Sequence, residues 1–140
     1  MKKHYSIIDG ERIFKATSVR KIHPVYLELS KSLSTIEILK FIKIYNGRLC
    51  ASNFLSQNKK KEPIVKVGEE NIVGVELLID VSNKTIQFYS ITSSIRGYGQ
   101  KIVSSIVSAT PKDWSLCVVF DWSGGFWEKM KKEYPQIAVL

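Results

Sequence analysis

Two glycines separated by one residue, Gly97 and Gly99, lie where an apolar run gives way to a helical pattern. A glycine has no Cβ, so its backbone can approach a ligand closely, and the free N–H groups of a helix's first turn carry the positive end of the helix dipole. Arg96 and Lys101 can add charge-assisted hydrogen bonds to phosphate oxygens. The segment is therefore predicted to bind an anion such as a pyrophosphate, although a tight turn without a ligand has the same composition.

The residues on either side of the glycines predict the elements that position them. Residues 85–91 read as a strand, and residues 100–108 have a helical apolar stripe that ends just before Pro111. Residues 114–120 form a nearly unbroken apolar run, which is typical of a strand covered on both faces. A strand, a helix and a second strand in this order form a right-handed crossover, so the two strands are predicted to be parallel.

The first half of the chain predicts a hairpin and a helix. Asp9 and Gly10 favour a tight turn, so residues 4–16 read as two short antiparallel strands. Residues 34–46 have apolar positions at helical spacing, a capping box of Ser34 and Glu37, and Gly47 at the expected end, so a helix is predicted there. Residues 25–32 fit either a short helix or an extended segment.

The middle of the chain predicts a loop followed by antiparallel strands. Residues 56–62 are polar and basic, which indicates a solvated loop in which the lysines at 59–61 are either a solvated face or a binding patch. Short apolar runs at 64–67 and 72–81 then alternate with turns at 68–71 and 82–84 before the strand at 85–91.

Composition sets limits on class and location. The 140 residues are 44% hydrophobic, which favours one domain spanning residues 1–140. The net charge of +8 favours anionic ligands, whether phosphate-rich cofactors, nucleic acids or acidic proteins. Cys50 and Cys117 lie in apolar runs, which favours reduced thiols and a cytoplasmic location. We expect no signal peptide and no membrane span, because the apolar run after the basic N-terminus is broken at Asp9 and Gly10 and no run of about 18 apolar residues occurs.

The order of elements, the turn Arg96–Gly97–Tyr98–Gly99 and the later run Phe126–Trp127–Glu128–Lys129–Met130 resemble the GNAT superfamily of N-acetyltransferases. Members carry an (Arg/Gln)-x-x-Gly-x-(Gly/Ala) loop for the coenzyme A pyrophosphate and a later helix often written Leu-Tyr-Glu-Lys-Leu-Gly-Phe. The resemblance covers about residues 72–140. It implies an α/β fold of mixed α+β type: a single GNAT-like domain whose twisted, mixed, mainly antiparallel sheet is flanked by helices, with a parallel strand pair around the Gly-rich turn.

Two departures from the family pattern affect individual residues. Placing Gly97 and Gly99 at the small positions of the loop keeps the helix in phase, which leaves Ser94 where Arg or Gln is usual and makes Arg96 an additional phosphate ligand. The alternative register, with Arg96 in that place, puts Lys101 at the last small position. Trp127 falls where many members have a tyrosine that protonates the leaving thiolate, and an indole cannot serve as that acid.

The resemblance implies acetyl-CoA as cofactor and an amine-bearing acceptor as partner, with pantetheine between the two parallel strands and its amides bonded to backbone near residues 89–91. Glu76 and Asp121 are the nearest candidate bases, because residues 85–91 contain no carboxylate. Glu76 fits a solvated strand face better than a base, and Asp121 equally fits a turn. The residues expected to bind the cofactor are Tyr89, Ile91, Arg96, Gly97, Tyr98, Gly99, Gln100 and Lys101.

Other classes of function give different expectations. A basic nucleic-acid-binding module would use the lysines at 59–61 and 129–132, but no nucleic-acid-binding motif is present. A family member that binds the cofactor without catalysis is a third hypothesis, given Trp127. No metal site is expected, because His4 and His23 are far apart and lack ligand neighbours. The sequence leaves the acceptor and the oligomeric state, including a homodimer, open.

Overall fold

The structure, a computed structural model, describes residues 5–10, 12–65, 70–121 and 124–140. The described residues form eight strands and three helices. The strands are β1 (Tyr5–Asp9), β2 (Ile13–Ala16), β3 (Phe41–Tyr45), β4 (Arg48–Ser52), β5 (Val73–Asp80), β6 (Thr85–Ser93), β7 (Ser115–Val118) and β8 (Ile137–Val139). The helices are α1 (Pro24–Ser34), α2 (Tyr98–Ala109) and α3 (Phe126–Glu133).

All eight strands join one mixed sheet in chain order. The pairs β1–β2, β3–β4, β4–β5 and β5–β6 are antiparallel, whereas β2–β3, β6–β7 and β7–β8 are parallel. The mixed α/β class and the predicted β6–α2–β7 crossover with parallel strands are therefore confirmed. The strand β8 and its parallel pairing to β7 have no counterpart among the sequence predictions.

The three helices pack against the same face of the sheet. One core cluster takes alternate residues from each central strand together with the buried residues of every helix, which requires the helices to share that face. The core includes Ile42, Ile44, Leu77, Phe88, Leu29, Ile102, Ile106, Trp127 and Met130. The opposite face carries polar residues and is partly covered by the loop of residues 53–65, whose Ile64 carbonyl accepts a hydrogen bond from Ser52 Oγ at 2.6 Å. Within the described ranges, no helix has the length and apolar character needed to cross a bilayer.

The predicted helix at 34–46 is wrong. The segment instead leaves α1 at Ser34 and enters β3, which lies between β2 and β4 in the sheet. Ser34 Oγ donates to the Lys31 carbonyl at the end of α1 rather than capping a new helix. Gly47 has a φ of +76°, so it serves the β3–β4 turn and not a helix end. The open segment 25–32 is helical, because Pro24 begins α1 and His23 Nδ1 accepts the Val25 N–H at 3.1 Å.

Other predicted strands need smaller corrections. Residues 64 and 65 lie outside every strand, residues 66–69 lie outside the described part, and an isolated bridge joins Leu55 to Pro63. The predicted strand 114–120 shortens to β7, and it is fully covered on one face only, since Leu116 and Val118 are buried whereas Ser115 is exposed and Cys117 is half-buried. The predicted N-terminal hairpin is confirmed, because β1 and β2 are antiparallel neighbours. The turns after β3 and β5 likewise join antiparallel neighbours, β3 to β4 and β5 to β6.

Candidate functional site

The ladder between β6 and β7 ends well before β6 does. It joins only Thr85–Gln87 to residues 115–117, because β7 ends at Val118 whereas β6 continues to Ser93. On its other side β7 pairs with β8 over residues 116–118. The β7-facing edge of residues 88–93, here called the opening, therefore has no ladder partner among the described residues. An unpaired strand edge can take an extended ligand through backbone hydrogen bonds.

A β-bulge distorts β6 beside this opening. The register passes from Ser90 opposite Glu76 to Phe88 opposite Leu77, so Tyr89 is the extra residue. A bulge leaves its extra residue outside the ladder and redirects the local backbone. The exposed ring of Tyr89 lies edge-on to Phe120, with centroids 6.4 Å apart, across the gap between the two strands. The structure thus places one predicted cofactor residue, Tyr89, at the opening.

Aromatic residues of α3 close the opening on its helix side. The Trp127 ring lies 4.8 Å from Phe88 of β6 and 5.1 Å from Phe126, measured between centroids. A Cβ on Gly99 would lie 3.0 Å from Phe126 Cε1, so a side chain at residue 99 requires the ring to shift by a few tenths of an ångström. Gly99 therefore allows a close approach between the start of α2 and Phe126.

The first N–H groups of α2 lack acceptors within the described residues. Gly97 is the N-cap with a φ of +93° and supplies no side chain, and nothing lies within 4 Å of the position its Cβ would take. The first helical hydrogen bond runs from the Lys101 N–H to the Gly97 carbonyl at 3.3 Å. Among the described residues, the N–H groups of the buried Gly99 and the exposed Gln100 have no acceptor. Donors without acceptors at a helix N-terminus are what an anion site requires, and the anion site at this turn stays a prediction.

A cavity of about 900 Å³ extends from this turn along α2. Four of the predicted cofactor residues line it, whereas Tyr89, Ile91, Arg96 and Gly99 do not. Its remaining walls come from the segment after α1 and from the end of α3, which the sequence analysis did not assign to a site. The lining residues are Thr35, Ile36, Glu37, Gly97, Tyr98, Gln100, Lys101, Ser104, Ser105, Glu133 and Tyr134.

The charge in this cavity is mixed. Gln100 Nε2 donates to both carboxylate oxygens of Glu133, at 3.2 and 3.1 Å, and Lys101 Nζ lies 5.0 Å from the centroid of the Tyr98 ring. Glu37 is a second carboxylate on the wall. A phosphate here would therefore rely on main-chain donors, with Lys101 and the exposed Arg96 offsetting the two carboxylates.

The two candidate bases occupy different places. Glu76 lies on the helix-free face of β5 opposite Ser90, next to the bulge, with its side chain 18% exposed. Arg48 Nη1 lies 3.5 Å from Glu76 Oε2, and the same guanidinium stacks 4.0 Å from the centroid of the Tyr45 ring. Asp121 follows β7 at the carboxyl edge and is exposed. No hydrogen bond or ion pair joins Glu76 to Asp121 in the part of the chain that the structure describes.

A buried lysine beside this face was missed by the sequence analysis. Lys43 is 2% exposed, and its Nζ donates to the Lys60 carbonyl at 2.6 Å. Burial lowers its pKa from the ordinary value. Burial also raises the pKa of the neighbouring Cys50 thiol to about 12, which leaves this cysteine unreactive at neutral pH. The ammonium lies 5.8, 5.7 and 5.1 Å from the ring centroids of Tyr5, Phe14 and Tyr45.

Three comparisons with known proteins add no relative. A scan of protein-family models, a search of curated proteins and a search of solved structures each found no match to this chain. No group of three or more histidine, cysteine, aspartate or glutamate side chains suited to a metal ion occurs among the described residues.

Proposed function

We propose that this protein is an acetyl-CoA-dependent N-acetyltransferase that acts on a primary amine. The observation that carries the proposal is the unpaired edge of β6 after Gln87, in the crossover whose helix α2 begins at the uncapped Gly97 turn. A thioester cofactor with an amide-bearing arm and a diphosphate would suit these two features together: an extended edge of unpaired backbone groups, and N–H donors at a helix N-terminus.

The donor set fits the two chemical parts of coenzyme A. The N–H groups of Gly99 and Gln100 suit the diphosphate, with Arg96 and Lys101 as added cations. The unpaired edge of β6 near Tyr89 and Ile91 suits the pantetheine amides, because amides and backbone groups pair in the manner of a strand. When bound, acetyl-CoA supplies an activated acetyl group to a neutral amine.

The chain's own contribution to the chemistry is proton removal and orientation. Glu76 is the preferred base, since Arg48 holds Oε2 and leaves Oε1 without a hydrogen bond to the described residues. A carboxylate at this position can take the proton of an incoming ammonium and so present the amine as a nucleophile. Asp121, at the carboxyl edge, is the second candidate. Tyr98 and Tyr134 line the cavity and carry hydroxyl groups that can donate a proton.

Cofactor binding without catalysis is the second candidate function. Trp127 occupies the place of the usual acid and is 5% exposed against Phe88, so it serves packing. Under this alternative the protein would bind CoA as tightly as acetyl-CoA and release no thiol in the presence of any amine.

Thermal denaturation with acetyl-CoA, CoA or a short DNA duplex tests the binding step. A ligand that binds only the folded state stabilises it by about 2.7 kcal/mol at one hundred times its Kd, which raises the melting temperature by several degrees. We expect stabilisation by both cofactors and none by the duplex. Stabilisation by the duplex alone would instead support a nucleic-acid-binding module that uses lysines such as those at 59–61.

The matched variants are Gly97→Glu and Gly10→Glu. Both glycines have positive φ, +93° and +57°, and both have open space at the Cβ position, so each variant adds the same charge at a positive-φ turn without a clash at its Cβ. We expect Gly97→Glu alone to abolish the cofactor-induced shift, because its carboxylate would occupy and negatively charge the anion site. Thiol release from acetyl-CoA with a panel of amines then distinguishes the enzyme from the cofactor-binding protein.

A further inference from the structure

A second cavity of about 510 Å³ lies at the opposite edge of the sheet from the Gly97 turn. It is formed where β3 and β5 end, which is the edge at which β6 and β7 begin, because β5 is antiparallel to β6. The segment before α1 forms its other wall. The residues that line it are Val19, Lys21, Ile22, His23, Pro24, Tyr26, Tyr45, Asn46, Gly47 and Val81.

The lysine, histidine and tyrosine side chains at this cavity can donate hydrogen bonds, Asn46 adds an amide oxygen that can accept, and no aspartate or glutamate is among the described lining residues. Lys21 is exposed and places an ammonium at the cavity. His23 accepts the Val25 N–H through Nδ1, so in the neutral imidazole the proton is on Nε2, which is then a donor. The nearby Asp80 carboxylate already accepts two hydrogen bonds from Asn83, at 3.1 and 2.8 Å. The cavity therefore complements an anion.

Tyr26 provides the most specific group. The residue is 7% exposed, and its hydroxyl oxygen accepts the Gly47 N–H at 2.9 Å. Burial raises the pKa of this phenol, so it keeps its proton at neutral pH. Among the described residues no acceptor takes that proton. A buried hydroxyl that accepts one hydrogen bond and still has a proton to donate is suited to a ligand oxygen.

We propose that this cavity binds a small monocarboxylate with an aromatic or aliphatic body. The carboxylate would accept from Tyr26 Oη and from Lys21 or His23, while Ile22, Pro24 and Val81 contact the apolar body. The cavity volume lies within the usual range for small-molecule sites, and apolar walls with a few directed polar groups are their usual composition. The proposal does not depend on acetyltransferase activity, because it concerns the other edge of the sheet.

The test is a titration of the ¹⁵N-labelled protein with small ligands, monitored through its amide chemical shifts. The probes are phenylacetate and octanoate, with phenylacetamide as the neutral control and phenethylamine as the cationic control. We expect saturable shifts for at least one carboxylate with a Kd below about 1 mM. The shifts should centre on Gly47 and residues 19–26, and the two controls should bind at least roughly tenfold more weakly, since a hydrogen bond to a charged group is lost or a like charge is introduced.

Three variants connect the binding to these residues. Tyr26→Phe removes the hydroxyl, and Lys21→Glu reverses the exposed charge, so each should weaken carboxylate binding by roughly tenfold. Lys31→Glu makes the same charge change on an exposed part of α1 outside the cavity and should leave the Kd unchanged. Because Tyr26→Phe also removes the acceptor of the Gly47 N–H, its spectrum is first checked for the native fold. If Tyr26→Phe has lost that fold, the result for Lys21→Glu decides. Absence of saturable carboxylate binding, equal binding of phenylacetamide, or shifts centred elsewhere would overturn the proposal.

Discussion

Single residues on the helix-free face determine what the sheet can do chemically. Glu76 is beside the β6 bulge and is held by Arg48, whereas Lys43 is buried a few residues away among three rings. The first is a carboxylate with one oxygen available, and the second is an ammonium whose charge is costly to bury. The two residues therefore lead to opposite expectations: substitution of Glu76 should change activity, and substitution of Lys43 should change stability.

Glu76→Gln should reduce kcat for acetyl transfer by about 10²-fold or more while cofactor binding stays unchanged, because a general base contributes about that much. Steady-state kinetics with the best amine of the panel measure the effect. Glu128→Gln, an exposed residue of α3, is the matched control. If Glu76→Gln keeps full kcat and Asp121→Asn loses it, the base is Asp121.

Lys43→Met should leave the free energy of unfolding at pH 7 unchanged or raise it by up to about 2 kcal/mol, because methionine fills a similar volume without a charge to desolvate. The lowered pKa of Lys43 means that the unfolded chain binds more protons between that value and 10.5, so wild-type stability rises with pH there. The advantage of Lys43→Met should accordingly shrink as the pH rises from 7 to 10. Urea denaturation across that range measures both effects. A loss of more than about 2 kcal/mol at pH 7 would show that the hydrogen bond and ring contacts outweigh the desolvation.

At the scale of elements, the contact between the start of α2 and the start of α3 fixes the shape of the opening. Phe126 lies against Gly99 and Trp127 against Phe88, so α3 connects the Gly97 turn to β6. The neighbouring Gly97 faces open space. Gly99 therefore has a packing role, whereas Gly97 is the glycine that a ligand could approach.

Gly99→Ala should destabilise the protein by about 1 kcal/mol, since its methyl group would force the Phe126 ring to shift from its packed position. In a Phe126→Ala background the same change should be neutral or stabilising, because alanine is preferred to glycine within a helix by about 1 kcal/mol. Chemical denaturation of the wild type, the two single variants and the double variant gives the coupling energy between residues 99 and 126. Gly97→Ala is the control: its cost comes from the positive φ and should be the same with or without Phe126.

The local pattern around the crossover was sufficient to predict β6, α2 and β7, because α2 has a clear helical period, the two flanking apolar runs have the length of strands, and the connection allows one handedness. The pattern failed at residues 34–46. Ile38, Leu39, Ile42 and Tyr45 fit a helix, while Ile42 and Ile44 equally fit one face of a strand, and pairing to β2 and β4 decided between them. Sequence spacing also identified the Gly97 turn, but it contained no signal for the cavity wall at Thr35–Glu37, which depends on packing of α1 against α2.

At the scale of the whole molecule, the two cavities lie at opposite ends of the strands β6 and β7. The carboxyl edge of β6 and β7 has the uncapped turn and the long cavity, and the opposite edge has the cavity around Tyr26. The net charge of +8 favours anions at both edges, but the carboxylates Glu37 and Glu133 make the first site depend on main-chain donors. Cofactor recognition should therefore be decided by backbone geometry.

The most direct measurement is a crystal structure of the complex with coenzyme A. We expect the N–H groups of Gly99 and Gln100 to donate to the diphosphate and pantetheine to lie along β6 beside Tyr89, between β6 and β7. A coenzyme bound elsewhere, or density that leaves the Gly97 turn without phosphate while Phe126 fills the space beside it, would overturn the proposed function.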